Sequence, residues 1–216
     1  MSEAGQFIVL EGVEGTGKST QVRRLSADLR LRGIEVVESR EPGGTEVGER
    51  IRDLVLHSKQ TPMPAETELL LILAARAAFV NQVVRPSLAR GAWVVADRFD
   101  LSTFAYQGYG RGIDQDVIAS ANRVAIGDLS PALYLILDLP VEEGIARQVR
   151  QGKRADRIES EGADFLGRVR EGYVELARTT PSALLVPASG TADEVEGRIQ
   201  SAMRDRFPET YSAAGV

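Results

Sequence analysis

The segment FIVLEGVEGTGKST, residues 7–20, decides the fold of this 216-residue chain. It begins with an apolar run of strand length, continues through a glycine-rich loop, and ends where a helical pattern starts at Lys18. Residues 12–19 match the pattern G-x-x-x-x-G-K-[ST]. Glycines let successive backbone N–H groups turn toward one centre, and the dipole of the following helix reinforces this anion cradle. The segment therefore predicts a phosphate-binding loop at a strand-to-helix junction.

The same loop supplies candidate ligands for the phosphates and for Mg²⁺. Lys18 can reach the terminal phosphates of a nucleoside triphosphate, and the Ser19 hydroxyl can ligate Mg²⁺. We therefore expect a nucleoside triphosphate site rather than an ordinary glycine-rich surface turn. The expected phosphate-binding residues are Gly12, Val13, Glu14, Gly15, Thr16, Gly17, Lys18, Ser19 and Thr20.

Strand-length apolar runs alternate with helix-period segments along the rest of the chain. Strands are predicted near residues 7–10, 34–37, 93–96, 133–137 and 184–186. Helices are predicted near residues 18–32, 46–56, 66–90, 114–125, 141–151, 163–178 and 192–206, with Pro86 bending or splitting the third. Strands that are apolar on both faces predict a parallel sheet with helices on both sides. We expect one α/β domain over residues 1–216, because no repeat or linker divides the chain.

Composition excludes several classes of protein. The chain has no cysteine and one histidine, His57, which excludes a disulfide framework and a zinc site built from Cys and His. The net charge of −5 argues against a nucleic-acid binder. The most apolar run, residues 69–75, is shorter than the ~20 residues that cross a bilayer, and residues 1–6 do not resemble a secretory signal. We expect a cytoplasmic protein that binds neither nucleic acid nor membrane.

Several kinds of nucleotide-binding protein share a phosphate-binding loop. A guanine-specific switch usually carries Asn-Lys-x-Asp, but neither Asn81 nor Asn122 is followed by lysine. Motor ATPases normally need a longer chain. The sequence therefore favours a small phosphotransferase.

Further motifs lie between about residues 6 and 190. Besides residues 7–20, these are REPGGT at 40–45, Asp97-Arg98, STFAYQGYGRG at 102–112 and DRIE at 156–159. In order and approximate spacing they resemble the bacterial thymidylate kinase family. The resemblance implies the nucleoside monophosphate kinase fold, an αβα arrangement with a five-stranded parallel sheet, and usually a homodimer. It also implies transfer of the γ-phosphoryl group of Mg·ATP to deoxythymidine monophosphate (dTMP).

The resemblance also implies which residues contact the acceptor nucleotide and Mg²⁺. Arg40 is expected to hold the acceptor phosphate, since a guanidinium fork suits a phosphate better than lysine does. Arg98 is expected to bridge the donor and acceptor phosphates, and Asp97 to anchor magnesium-bound water. Glu14 is expected to address the acceptor sugar hydroxyl and the magnesium shell. The residues implied to lie beside the base and deoxyribose are Arg76, Thr103, Tyr106 and Gln107.

Ile72 departs from the family pattern. It lies four residues before Arg76, where the family commonly has a phenylalanine stacked on the thymine ring. A branched aliphatic side chain can press on a base, but it gives up ring stacking worth about 1–3 kcal/mol. Two alternatives stay open at this point: a monophosphate kinase for another base, and an ATP-binding regulatory protein without turnover.

Arginines cluster around residues 147–157. The family has types that carry the catalytic arginine either in the phosphate loop or in a mobile lid, and the loop here offers Thr16 and no arginine. The resemblance therefore implies a short arginine-rich lid at about residues 148–160. The expected catalytic residues are Lys18, Arg98 and the lid candidates Arg150, Arg154 and Arg157.

Overall fold

A computed structural model describes residues 5–58, 62–152 and 156–212. At its centre lies a five-stranded sheet in which every neighbouring pair is parallel, in the order β2-β3-β1-β4-β5. Its strands are β1 (Phe7–Glu11), β2 (Val36–Arg40), β3 (Trp93–Asp97), β4 (Leu133–Asp138) and β5 (Ala183–Pro187). The predicted parallel α/β sheet is confirmed.

Helices connect successive strands. They are α1 (Lys18–Leu31), α2 (Glu46–His57), α3 (Ala65–Ala89), α4 (Asp100–Thr103), α5 (Gln115–Ile126), α6 (Val141–Arg150), α7 (Ala163–Thr179), α8 (Ala192–Arg206) and α9 (Pro208–Ser212). A π-helical segment, Val80–Val84, lies within α3 directly before Pro86, and the helix continues past the proline. Proline lacks the N–H that an α-helical turn would use there, so the wider turn accommodates it without a break.

The sheet separates two apolar layers, because successive strand residues point to opposite faces. Phe7 and Val9 of β1 pack in one layer with α2, α3 and α7. Ile8 and Leu10 pack in the other layer with α1 and α8. This three-layer αβα arrangement buries both faces of the sheet, as the doubly apolar strands predicted.

The prediction for the second strand was wrong in its position, because β2 extends through Glu38 and Ser39 to Arg40 rather than ending at Val37. The strand lies at the edge of the sheet, where side chains can remain partly exposed, and so its polar second half shows no apolar run. The shift makes Arg40 the last residue of the strand, paired in register with Asp97.

A helical stretch after β3 was not predicted. It consists of α4 and a π-helix over Phe104–Gly110 that continues it. Its two glycines, Gly108 and Gly110, hid the helical pattern, yet a Cβ at Gly110 would approach the Phe165 ring of α7 to 2.6 Å. This stretch matters for the site because it carries Thr103, Tyr106 and Gln107 on adjacent turns.

One helix, Ala65–Ala89, is long and apolar enough by length and composition to cross a membrane. Half of its most apolar window is buried inside the protein. Ile72, Ala75 and Phe79 of this helix belong to the core beneath the sheet. A mostly buried core helix passes the same test of length and composition.

Candidate active site

The carboxyl ends of β1, β2 and β3 open onto a cavity of about 310 Å³. Ligands of doubly wound folds bind at this edge of the sheet. The structure brings most of the predicted site residues to the cavity wall: Glu14, Gly15, Gly17, Lys18, Ser19, Thr20, Arg40, Ile72, Arg76, Asp97, Arg98, Thr103, Tyr106 and Gln107.

The phosphate loop is folded around its own lysine. Gly12, Gly15 and Gly17 adopt φ angles of 130°, 76° and 91°, which side chains rarely tolerate. The Lys18 ammonium donates to the carbonyl oxygens of Gly12, at 3.0 Å, and Val13, at 2.8 Å. Burial and the positive charge of Arg98 lower the pKa of Lys18 to about 8. Lys18 is therefore a buried cation held at the rim of an amide-lined loop.

An oxygen pair lies beside the loop. Ser19 Oγ donates to Asp97 Oδ2 at 2.7 Å, and both residues line the cavity. The described residues contain no cluster of three or more His, Cys, Asp or Glu that could hold a metal ion. Mg²⁺ in nucleotide enzymes needs only one or two protein oxygens, because phosphates and water complete its shell. A hydroxyl and a carboxylate in contact fit that requirement.

Arg98 has a strained backbone, and both of its Nη groups are hydrogen-bonded within the protein. Among the residues that the structure describes, it is the only non-glycine with a positive φ, 74°. Left-handed backbone costs roughly 1–2 kcal/mol for such a residue, and strain of this kind clusters at functional sites. Its guanidinium donates to five acceptors: the Gly12 carbonyl, Glu14 Oε1 and the hydroxyls of Ser102, Tyr106 and Tyr173.

Glu14 is paired with Arg98 rather than with the Ser19–Asp97 pair. Its Oε1 accepts from Arg98 at 2.5 Å, and its Oε2 accepts from the Tyr106 hydroxyl at 2.7 Å. Burial opposes ionisation of this carboxyl, but the positive charges of Arg98 and Lys18 and the hydrogen bond from Tyr106 together outweigh burial and lower the pKa of Glu14. The carboxylate in the loop is thus compensated inside the protein.

Glu11 and Tyr173 anchor this cluster, and sequence reasoning missed both. Glu11 Oε1 accepts from the backbone N–H groups of Phe99 and Ser102, while Oε2 accepts from the hydroxyls of Ser102 and Tyr173. Tyr173 reaches the site from α7, far away in the sequence. A carboxylate that ends a buried strand was the available signal for Glu11, whereas nothing local marks Tyr173.

Arg76 and Ile72 lie on α3 at another part of the wall. Arg76 is buried, and three of its five N–H groups donate to described residues: Glu41 Oε2, Asn122 Oδ1 and the Phe99 carbonyl, at 2.8–2.9 Å. The guanidinium is therefore fixed in orientation while its residue still lines the cavity.

Two buried polar atoms on the wall have no hydrogen-bond partner among the described residues. They are Glu41 Oε1 and Thr103 Oγ1, and both residues line the cavity. Buried polar atoms in folded proteins are nearly always paired. Unpaired atoms at a cavity wall are typical of a surface that binds a polar ligand.

Arg52 also lines the cavity, in addition to Arg40, Arg76 and Arg98. The sequence analysis missed it. Its guanidinium donates to the Pro42 carbonyl at 3.0 Å, and Arg40 donates to Glu49 at 2.9 Å. Burial and the positive charge of Arg40 lower the pKa of Arg52. Arg40, Arg52 and Arg98 line one cavity despite their mutual repulsion, which is the arrangement of an anion site. Arg52 was inconspicuous because its helix also carries the exposed Arg50.

The predicted lid arginines are placed differently. Arg150 and Arg157 do not line the cavity, and Arg154 lies outside the described residues. Arg157 instead donates to Glu68 and to the Val55 carbonyl. The residues of the predicted lid that do line the cavity are Gln148, Gln151, Asp156 and Ile158.

A phosphate loop and several arginines that line one cavity are typical of a P-loop kinase of small phosphorylated substrates. Comparison with known proteins identifies the family. The family model for thymidylate kinase matches residues 10–199. This chain belongs to the thymidylate kinase family.

Individual relatives agree over most of the chain. The thymidylate kinase of Pseudomonas syringae pv. syringae (strain B728a) is 49% identical over 193 residues, which cover 89% of this chain and 91% of that protein. The thymidylate kinase of Ectopseudomonas mendocina (strain ymp) is 48% identical over 198 residues, or 91% of this chain and 94% of that protein. The crystal structure of thymidylate kinase from Ehrlichia chaffeensis has a TM-score of 0.76 and 29% identity, covering 93% of this chain and all of the other.

The cluster around Arg98 yields a stability prediction for Tyr173→Phe. Losing the hydroxyl removes hydrogen bonds to Arg98 and Glu11 in a buried site, so the free energy of unfolding should fall by about 1–2 kcal/mol. Urea denaturation measures this difference. Tyr109→Phe is the matched control, because Tyr109 is exposed and should change stability by less than about 0.5 kcal/mol. Equal stabilities of the two variants would contradict the anchoring role of Tyr173.

Proposed function

We propose that this chain transfers the γ-phosphoryl group of Mg·ATP to the phosphate of dTMP, giving dTDP and ADP. Family membership carries this conclusion, because thymidylate kinases share nearly half of the residues over about nine-tenths of the chain. The cavity supports this function, because a loop of the kind that binds nucleoside triphosphates and several arginines line the same cavity. Neither a kinase for another base nor an ATP-binding protein without turnover is favoured.

Alignment and charge neutralisation supply the catalysis in this proposal. The acceptor phosphate is already an anionic oxygen nucleophile near neutral pH, so no general base is required. The loop amides and Lys18 hold the donor phosphates. Arg40, Arg52 and Arg98 hold the acceptor phosphate in line with them.

Ser19 and Asp97 are the residues proposed to hold Mg²⁺. When bound, the ion neutralises charge on the donor phosphate oxygens. Glu14 is assigned to the acceptor sugar hydroxyl, because Arg98 and Tyr106, which line the same cavity, hold its two carboxylate oxygens. Any further charge from the lid comes from Arg150 or Arg154, since Glu68 engages Arg157.

The remaining wall residues are assigned to the nucleoside of dTMP. Ile72 presses on the face of the base, and Arg76 and Gln107 meet its polar edge. Thr103 and Tyr106 lie beside the base and the deoxyribose. The buried Thr103 hydroxyl has no hydrogen-bond partner among the described residues, which supports a contact with a polar ligand.

A homodimer formed through α3 and α5 is proposed from an exposed apolar face. Leu70 on α3 is 64% exposed, and Val117 and Val124 on α5 are 55% and 89% exposed. Each lies next to a residue of the buried contact between these two helices. Val117 and Val124 are seven residues apart and so share one face of α5, and exposed apolar residues that cluster are typical of a protein interface. We place the enzyme in the cytoplasm, where its nucleotide substrates occur.

Lys18→Met should reduce turnover to about one-hundredth or less of the parent value, because it removes the cation that stabilises the transferring charge. A coupled assay of ADP release measures this loss, and thermal denaturation should show an intact fold. Retained activity would contradict the phosphate-loop assignment.

The lowered pKa of Lys18 gives a second readout for the same prediction. At pH 8 about half of the Lys18 amines are neutral in the free protein, and bound phosphates should protonate them. ATP binding should therefore take up about half a proton, measured by calorimetry in buffers of different ionisation enthalpy. Lys18→Arg, which stays charged, should take up none.

Arg40→Ala and Arg52→Ala should each raise the KM for dTMP by about tenfold or more while changing the KM for ATP little, because a guanidinium–phosphate bond is lost on the acceptor side only. Steady-state kinetics with each substrate varied in turn measures both constants. Arg50→Ala is the control, because Arg50 lies on α2 with Arg52 but has a 78% exposed side chain. Equal effects on the two substrates would argue against the acceptor role.

The double variant Leu70→Glu/Val124→Glu should be a monomer where the parent chain is a dimer, because it places buried charges across the proposed interface. Light scattering after size-exclusion chromatography measures the mass in solution. Leu31→Glu is the control, since Leu31 is as exposed as Val124 but lies on α1. A monomeric parent chain, or a double variant that still dimerises, would refute this interface.

A further inference from the structure

Glu68 is a buried carboxylate in contact with a residue of the base pocket. Its Oε1 accepts from Gln107 Nε2 at 2.8 Å and from Arg111 Nε at 3.0 Å. Its Oε2 accepts from Arg111 Nη2 at 3.0 Å and from Arg157 Nη2. Glu68 is fully buried on α3, so these contacts link the helix after β3 and the DRIE segment to one carboxylate.

Glu68 is ionised in this environment. Burial opposes its charge, but the hydrogen bonds from Arg111, Arg157 and Gln107 outweigh burial and lower the pKa of Glu68. An ionised carboxylate has no proton to donate and acts only as an acceptor. Whatever faces it must therefore be a donor.

This requirement determines the orientation of the Gln107 amide. The NH₂ group must face Glu68, so the carbonyl Oε1 is left for the other side of the amide plane. Gln107 lines the cavity, and its Oε1 has no hydrogen-bond partner among the described residues. Arg76, on the same wall, has only donors. The base pocket therefore presents an acceptor from Gln107 and donors from Arg76.

Pyrimidines differ in what they offer to such an edge. Thymine and uracil carry an N3–H donor next to the O4 acceptor. Cytosine carries an N3 acceptor next to a 4-amino donor. An acceptor beside a fixed guanidinium therefore pairs with thymine and uracil, whereas it sets acceptor against acceptor and donor against donor with cytosine.

We propose that Glu68 is a positioning residue for base selectivity, because it locks the Gln107 amide with its oxygen toward the acceptor base and so excludes cytosine nucleotides. This inference depends on the proposed function, in which the cavity receives a pyrimidine monophosphate. Arg111 and Arg157 contribute by keeping Glu68 charged. Arg157 thereby acquires a role away from the phosphates.

The test compares kcat/KM for dTMP, dUMP and dCMP in the parent enzyme and in Glu68→Gln. A glutamine at this position can itself donate, so the Gln107 amide becomes free to turn its NH₂ group toward the base. The dTMP-to-dCMP ratio of kcat/KM should fall at least about tenfold, mainly through KM for the monophosphate. The dTMP-to-dUMP ratio should stay unchanged, because these bases differ only by a methyl group away from the edge.

Two further variants separate positioning from simple loss of packing. Glu161→Gln neutralises the other carboxylate that binds Arg111, and it should leave both the dTMP-to-dCMP and the dTMP-to-dUMP ratio of kcat/KM unchanged. The double variant Glu68→Gln/Gln107→Glu should recover the dTMP preference, because a carboxylate at 107 presents an acceptor in either orientation. Failure of this rescue, with a folded protein, would overturn the proposal.

Glu68→Asp covers the case in which Glu68→Gln does not fold. It keeps the charge that the arginines need but withdraws the carboxylate from Gln107, so the dTMP-to-dCMP ratio should fall in the same direction. An unchanged ratio in any folded Glu68 variant would overturn the proposal. Activity of the parent enzyme with dTMP is measured in the same assay, so failure of the proposed function is distinguished from failure of this inference.

Discussion

The contact between Arg98 and the phosphate loop is the interaction on which the site depends. Arg98 follows β3, yet its guanidinium donates to the carbonyl of Gly12 and to Glu14, both in the loop after β1. The left-handed backbone at Arg98 directs the side chain back across the sheet edge. Glu11 stabilises this conformation by accepting the next N–H group, that of Phe99. These hydrogen bonds hold the residue after β3 against the loop after β1, although the two are far apart in the sequence.

The cavity contains two groups of cations, Lys18 with Arg98 and Arg40 with Arg52, and the proposed function brings a phosphate group to each. Lys18 has its pKa lowered by burial and by Arg98, and Arg52 has its pKa lowered by burial and by Arg40. Both shifts express the cost of burying a cation and, after that, of placing a second cation near it. A bound polyphosphate or monophosphate removes that cost, so ligand charge and protein charge stabilise each other. Of the acidic residues that line the cavity, Glu14 is paired directly with Arg98.

Local sequence patterns predicted the sheet and most of the helices, because these elements depend mainly on residues that are close together in the sequence. The glycine loop of β1 and the doubly apolar strands determine a parallel sheet and the position of Lys18. The contributions of Arg52, Tyr173 and Glu68 could not be predicted, because each reaches the site through packing between elements far apart in sequence. The helix that carries Gln107 was missed for a related reason: Gly110 allows close packing against α7, and the sequence alone does not show which helix packs there.

Under the proposed function, the aliphatic residue at position 72 leaves a larger share of base recognition to the polar edge of the pocket. Ile72 can exclude water from one face of a base, but every pyrimidine offers a similar face, so it discriminates weakly. Hydrogen-bond polarity discriminates strongly, because a mismatched edge leaves buried donors or acceptors unpaired. In the proposed pocket that polarity is held by two buried acidic side chains, Glu41 on Arg76 and Glu68 on Gln107. A pocket that lacks ring stacking can therefore remain selective, provided that these two acids stay in place.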